Sequence, residues 1–182
     1  MSFLSRIRRE LPQFVNIGQY RLRLPPGSKL NLYQAQFRRY DIALGEIARV
    51  IHKAYPTMCA IDVGANVGDT AALIRKYADI PVLCIEGDKK LLPMLMENLA
   101  QMEFEVVIEP SFVGRDRTFV DETKIREGGL NASLVGAIGT VDRGIEMQSL
   151  ETILLRHPKF AGAKLWKIDT EGCDLAPGFR SS

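Results

Sequence analysis

From Cys59 onward the chain repeats one pattern, a short apolar run and then residues at helical spacing. "CAIDVG" is followed by "DTAALIRKYA" and "VLCIEG" by "KLLPMLMENLAQM"; "FEVVIEP" and "AKLWKID" repeat the apolar run later. Such runs suit strands buried on both faces, and helices between them supply the crossovers a parallel sheet needs. The expected fold is α/β, a Rossmann-like parallel sheet with right-handed crossovers. Pro93 fits the first turns of the second helix, where a missing amide donor costs little.

The 182 residues are enough for one ordinary core, and 46% hydrophobic with 25% charged residues is a globular balance. A net charge of +2 without long runs of one sign gives no reason to expect a nucleic-acid partner. Before the repeating pattern, "GQYRLRL" alternates as a half-exposed strand does and "LPPGSKL" is a turn. "YDIALGEIARVIHKAY" sets Ala43, Ile47, Val50, Ile51 and Ala54 at helical spacing behind Asp41 as N-cap. Residues 1–55 thus read as a strand and helix preface and 56–182 as the sheet domain. Phe3, Leu4, Ile7 and Leu11 fall near one helical face beside Arg6, Arg8 and Arg9, either a stripe covering the core or a membrane-surface contact.

Cys59, Cys84 and Cys173 are odd in number and set in apolar stretches, the usage of reduced, buried thiols. No apolar run reaches the roughly 18 residues that span a bilayer, and the first residues lack a signal-peptide pattern. The expected location is the cytoplasm. Between Phe112 and Leu150 the pattern weakens: "RTFVDETKI" and "GIEMQSL" read as a small hairpin around "REGGLNASLVGAIGT", either a lid or an exposed connection.

Chemistry concentrates at two strand ends. In "AIDVGANVGDTAALI" a glycine turn joins a strand to a helix, which lets backbone approach a ligand closely. The spacing, Asp62, Gly64, Asn66 and Gly68, departs from the G-x-G-x-x-G of dinucleotide sites. Asn66 tolerates the left-handed conformation and can stand where another glycine would. A carboxylate at Asp62 would repel a phosphate but suits an ammonium or hydroxyl. S-adenosyl-L-methionine carries both and no phosphate. Glu86 follows 22 positions after Gly64, near the offset at which an acid accepts bonds from ribose hydroxyls; alternatively it caps backbone amides.

"LWKIDTEGCD" forms the second strand end, and alternation there places Lys167, Asp169 and Glu171 on one side. The two acids either hold an acceptor hydroxyl and take its proton or cap a turn, with Lys167 as their counter-ion. Trp166 reads as core, and His52 and His157 as surface residues. No His and carboxylate set with metal-ligand spacing is evident.

"IDVGANVGDTA", "CIEGD", "SLETIL" and "KIDTEGCD", in that order, resemble the FkbM-type methyltransferases, and "RLRLPPGSKL" and "RRYDIALGEI" extend the likeness from about Gly18 to Asp174. The resemblance implies S-adenosylmethionine-dependent O-methylation of a saccharide, glycolipid or secondary metabolite. By it, Asp62, Gly64, Asn66 and Gly68 surround the methionine part of the cofactor, Glu86 takes the ribose, and Asp169 with Glu171 face the acceptor. Glu151 stands where the family has an aspartate. A full fold of that family continues after "KIDTEG", so the strand of Asp169 is expected at a sheet edge, open to pairing in a homodimer. The alternative is a cofactor-binding or interaction protein without turnover; a nicotinamide enzyme fits poorly because of Asp62.

Overall fold

The computed structural model describes residues 13–36, 42–102, 105–121, 138–139 and 144–169. Asp41, Glu171, Cys173, the N-terminal stripe and most of the Gly-rich stretch expected to be a lid or connection lie outside them.

Strands β1 (Gln13–Ile17) and β2 (Tyr20–Leu24) form an antiparallel hairpin. Their alternation buries Val15, Ile17, Tyr20, Leu22 and Leu24 and exposes Asn16, Arg21 and Arg23. Helix α1 (Leu30–Gln36) follows the Pro-Pro-Gly turn, and α2 (Ile42–Ala54) precedes the sheet.

β3 (Ala60–Val63), α3 (Asp69–Tyr77), β4 (Val82–Ile85), α4 (Leu92–Leu99) and β5 (Val106–Glu109) alternate as expected. Pro93 sits in the first turn of α4. The chain then makes a long excursion through β6 (Phe119–Val120), β7 (Ile138–Gly139) and β8 (Ile145–Glu146). It returns by α5 (Leu150–Arg156), capped by the Ser149 hydroxyl, and a 3-10 turn at Pro158–Phe160 to β9 (Leu165–Ile168). The main sheet is wholly parallel, in the order β5-β4-β3-β9, a Rossmann-like α/β arrangement. Its faces bury separate sets of side chains. Ala60, Val82, Cys84 and Leu165 join the hairpin, α3 and α4 in one cluster; Ile61, Val63, Leu83 and Ile85 meet Ile153 and Phe160 on the other face.

Three expectations change. The stripe read on α2 does not all face inward: Ile47 and Val50 are 48% and 59% exposed, while Gly45 and Ala48 are buried. The Tyr77 ring of α3 occupies the space where a Cβ on Gly45 would go, so only the small-residue face can come close. Trp166 is 37% exposed rather than core, its indole N–H donating to the Ala163 carbonyl at 3.1 Å. Around the weak middle region β6 does pair with β8, but β7 lies on its other side, giving three strands instead of a hairpin.

Candidate functional site

In a parallel sheet, ligands bind outside the carboxyl ends of the strands where the strand order reverses. Here the order runs from β3 outward through β4 to β5, then returns to β9 on the opposite side of β3. The switch point therefore lies between β3 and β9, and the sequence places Asp62 and Gly64 at the end of one and Lys167 and Asp169 at the end of the other.

Asp62 pairs in register with Cys84 on β4 and Lys167 on β9. It is 0% exposed, and neither carboxylate oxygen has a hydrogen bond. The nearest cation is Lys167 Nζ, 3.3 Å from Oδ1. Burial pushes the Asp62 carboxyl up to about 7, with Lys167 opposing the rise and Asp69 and Glu86 adding to it. Burial alone would depress Lys167, yet Asp62, Asp169 and Asp69 hold it above its ordinary value. Burial, reinforced by the Asp62 charge, pushes the Cys84 thiol well above its usual range, a setting for an inert thiol. Cys59 is likewise buried and unbridged.

The turn after β3 is shaped by its glycines and Asn66. Gly64 has φ +77, and a Cβ there would strike the Asp169 carbonyl oxygen, so β9 closes against bare backbone. Gly64 and Ala65 donate to the Ile85 carbonyl at 2.9 and 3.1 Å, tying the turn to β4. Asn66 takes the left-handed conformation, φ 50. Gly68 caps α3, with Leu99 and Leu95 of α4 2.9 and 3.2 Å from where its Cβ would be.

Glu86 is buried and accepts from the Asn66 amide and the Asp88 amide, both at 2.8 Å. It therefore does what its capping alternative required. Each oxygen keeps a second acceptor direction for a hydroxyl. Burial raises its carboxyl above the ordinary value, the two amides opposing. Asp169 is half exposed at the crevice mouth, its Oδ2 3.8 Å from Lys167 Nζ.

Sequence reasoning missed two residues, Asn98 and Glu109, and gave Lys167 only to the later acids. Lys167 reaches Asp62 rather than serving only the later acids, and donates to the Gly64 carbonyl at 2.9 Å. Asn98 on α4 donates to the carbonyls of Val67 and Arg23, both at 2.9 Å, and accepts from the Arg23 amide at 2.8 Å. It braces the glycine turn from behind, and on sequence alone it is one polar position in an amphipathic helix. Glu109, ending β5, accepts from Arg156 and His157, both at 2.8 Å, and from the Ser111 hydroxyl. These bonds hold its carboxyl below the usual range although burial opposes them. His157, expected at the surface, is thus mostly enclosed and fastens α5 to the sheet.

Among the described residues no group of three or more His, Cys, Asp or Glu could hold a metal ion, and no helix is long and apolar enough to cross a membrane. A buried carboxylate without a hydrogen bond, next to the buried Glu86, fits a cofactor bearing an ammonium and a ribose. Asp62 would meet the ammonium, the backbone from Gly64 to Gly68 would lie along the ligand, and Glu86 would face the ribose.

No protein family and no curated protein matches the sequence significantly. Among solved structures, a proposed RNA methyltransferase from Pyrococcus horikoshii is similar at a TM-score of 0.32 and 23% identity over 58% of this chain. The match spans about half of that structure, 48%, and a likeness this slight carries no conclusion.

Proposed function

We propose that the chain is an S-adenosyl-L-methionine-dependent methyltransferase acting on a hydroxyl oxygen, with a saccharide, glycolipid or secondary metabolite as acceptor. The observation that carries the reading is Asp62, a fully buried carboxylate without hydrogen bonds at the sheet's switch point. A site for a nicotinamide dinucleotide would bring a pyrophosphate toward this acid, which Coulomb repulsion disfavours. The acceptor class rests on the resemblance to FkbM-type enzymes.

The chemistry brought by the cofactor is an electrophilic methyl on a sulfonium. Asp62 would hold the ammonium, and the turn through Asn66 and Gly68 would align the ligand along β3. Glu86 would accept from the ribose while keeping the turn closed. Asp169 would receive the acceptor hydroxyl and take its proton as the new C–O bond forms and the methyl C–S bond breaks, the cofactor leaving as the neutral thioether; by the resemblance, Glu171 would face the same acceptor. Holding the two reactants in line supplies much of the barrier reduction in such a transfer.

Thermal unfolding with S-adenosylmethionine and with NAD tests the binding. The melting temperature is expected to rise with the first and stay put with the second, and Asp62→Asn should abolish the rise. An equal rise with NAD removes the reading. Methyl transfer to a cell-extract glycan fraction, lost in the same variant, tests the acceptor class. A second reading, a cofactor-binding interaction protein, is favoured by the exposed Trp166 and Ile168 along β9. Its outcome is affinity for S-adenosylmethionine with no transfer to any fraction.

A further inference from the structure

Asp62 lies in a slot where most neighbouring charges have its own sign. Asp69 opens α3, Glu86 follows β4 and Asp169 follows β9; β4 itself contributes only the neutral Cys84 thiol. Among the described residues, the ammonium paired with Asp62 is that of Lys167. Lys167 Nζ lies 2.9 Å from the Gly64 carbonyl oxygen, 3.3 Å from Asp62 Oδ1 and 3.8 Å from Asp169 Oδ2. The Gly64 carbonyl accepts a hydrogen bond from the ammonium, both carboxylates lie within ion-pair distance of it, and the side chain is held across the switch point by β9. An ionised carboxylate taken out of water without a partner neutralises itself by binding a proton. Lys167 engages Oδ1 alone, and Asp62 Oδ2 has no hydrogen-bond partner among the described residues, so the slot stays attractive to a second, incoming ammonium.

We infer that Lys167 is a positioning residue that favours the anionic form of Asp62 in its dry slot, and thereby makes the site select a ligand that brings its own ammonium. The inference rests on the reading of the site as one for S-adenosylmethionine. Lys167 acts through Asp62 and touches no reacting atom.

The ligand-free protein provides the first test. The Asp62 carboxyl has an ordinary value of 3.8 and about 7 in the fold, so between those values the folded chain holds a proton the unfolded chain has released. Stability then falls as pH rises through that window and levels off above it. Without Lys167 the folded value is higher still, so the fall should continue beyond pH 7. Melting temperatures from pH 5 to 9 are expected to level off above about 7 in the wild type, to keep falling in Lys167→Met, and to level off again in Lys167→Arg.

Ligand affinity provides the second test. The ratio of wild-type to Lys167→Met affinity for S-adenosylmethionine is expected to be about tenfold or more at pH 7 and to close toward one near pH 9. The ligand's own titration cancels in that ratio. For 5′-methylthioadenosine, which has the nucleoside but no ammonium, the ratio should stay near one throughout. A loss independent of pH overturns the inference, since it makes Lys167 a structural ion pair or a contact to the ligand's carboxylate. A gain in affinity overturns it too, by making Lys167 a competitor for the slot. Should Lys167→Met fail to fold, Lys167→Gln, which keeps a donor toward the Gly64 carbonyl, carries the same measurements. If the wild type shows no affinity for S-adenosylmethionine, the reading of the site falls, while the ligand-free pH profile still decides what Lys167 does.

Discussion

At the scale of single residues, the turn after β3 is held by steric exclusion as much as by bonding. Gly64 sits at φ +77 with the Asp169 carbonyl where a Cβ would be, while Gly27 sits at φ +81 with nothing within 4 Å. The pair separates backbone strain from collision. Gly27→Ala is expected to cost about 1 kcal/mol, the left-handed penalty alone, and Gly64→Ala at least ~3 kcal/mol, because the end of β9 must also move. Urea unfolding measures both, and equal losses would mean that β9 does not close on the turn. The asparagine of this turn was legible because its backbone preference is local: Asn66 does adopt the left-handed shape, φ 50. Lys167 was legible only as a charge near other charges. Its partner Asp62 lies 105 positions earlier, and a register between β3 and β9 had to exist before the two could be paired.

At the scale of elements, the four main strands announced themselves by their short apolar runs, although only β3 and β4 are buried throughout while β5 and β9 are partly exposed. The face of α2 did not, because helical spacing marks apolar stripes without saying which one a neighbour can reach. Tyr77 decides that from α3, by filling the space that only Gly45 and Ala48 leave open. The hairpin offers a further case. Asn98 brackets the Arg23 peptide of β2, and Gln101, just past the end of α4, brackets Arg21 with bonds of 3.1 and 3.2 Å. Two side-chain amides three positions apart thus meet backbone groups two positions apart on a strand, and cover its open edge. Asn98→Ala removes three bonds, one of them to the Val67 carbonyl in the glycine turn, and is expected to cost about 3 kcal/mol; Gln101→Ala, at an exposed position, should cost under ~1 kcal/mol. Only the first should also weaken ligand-induced thermal stabilisation, since only Asn98 reaches that turn. Similar losses for both would reduce Asn98 to an edge cover.

At the scale of the whole molecule, β9 has one hydrogen-bonded neighbour, β3, among the described residues, and Ile168 on it is 40% exposed. A strand so placed pairs readily with another chain. Self-association rising with concentration is expected in sedimentation velocity, and Ile168→Pro, which withdraws an edge donor, should return the monomer; a wild type that stays monomeric at high concentration would show the edge to be covered. The excursion between β5 and α5 has a different character. Its two ends are fastened beside one another: Glu109 to Arg156 and His157, Val113 to Gln148 by a parallel bridge, the Gln148 amide to the Phe112 carbonyl at 2.8 Å, and the Ser149 amide to Asp116 at 2.7 Å. Ends fixed by the sheet make the cost of a longer or shorter span grow only slowly with its length. The neck therefore works as a socket: a change of length in the span it encloses is expected to leave the register of the strands beneath it unchanged.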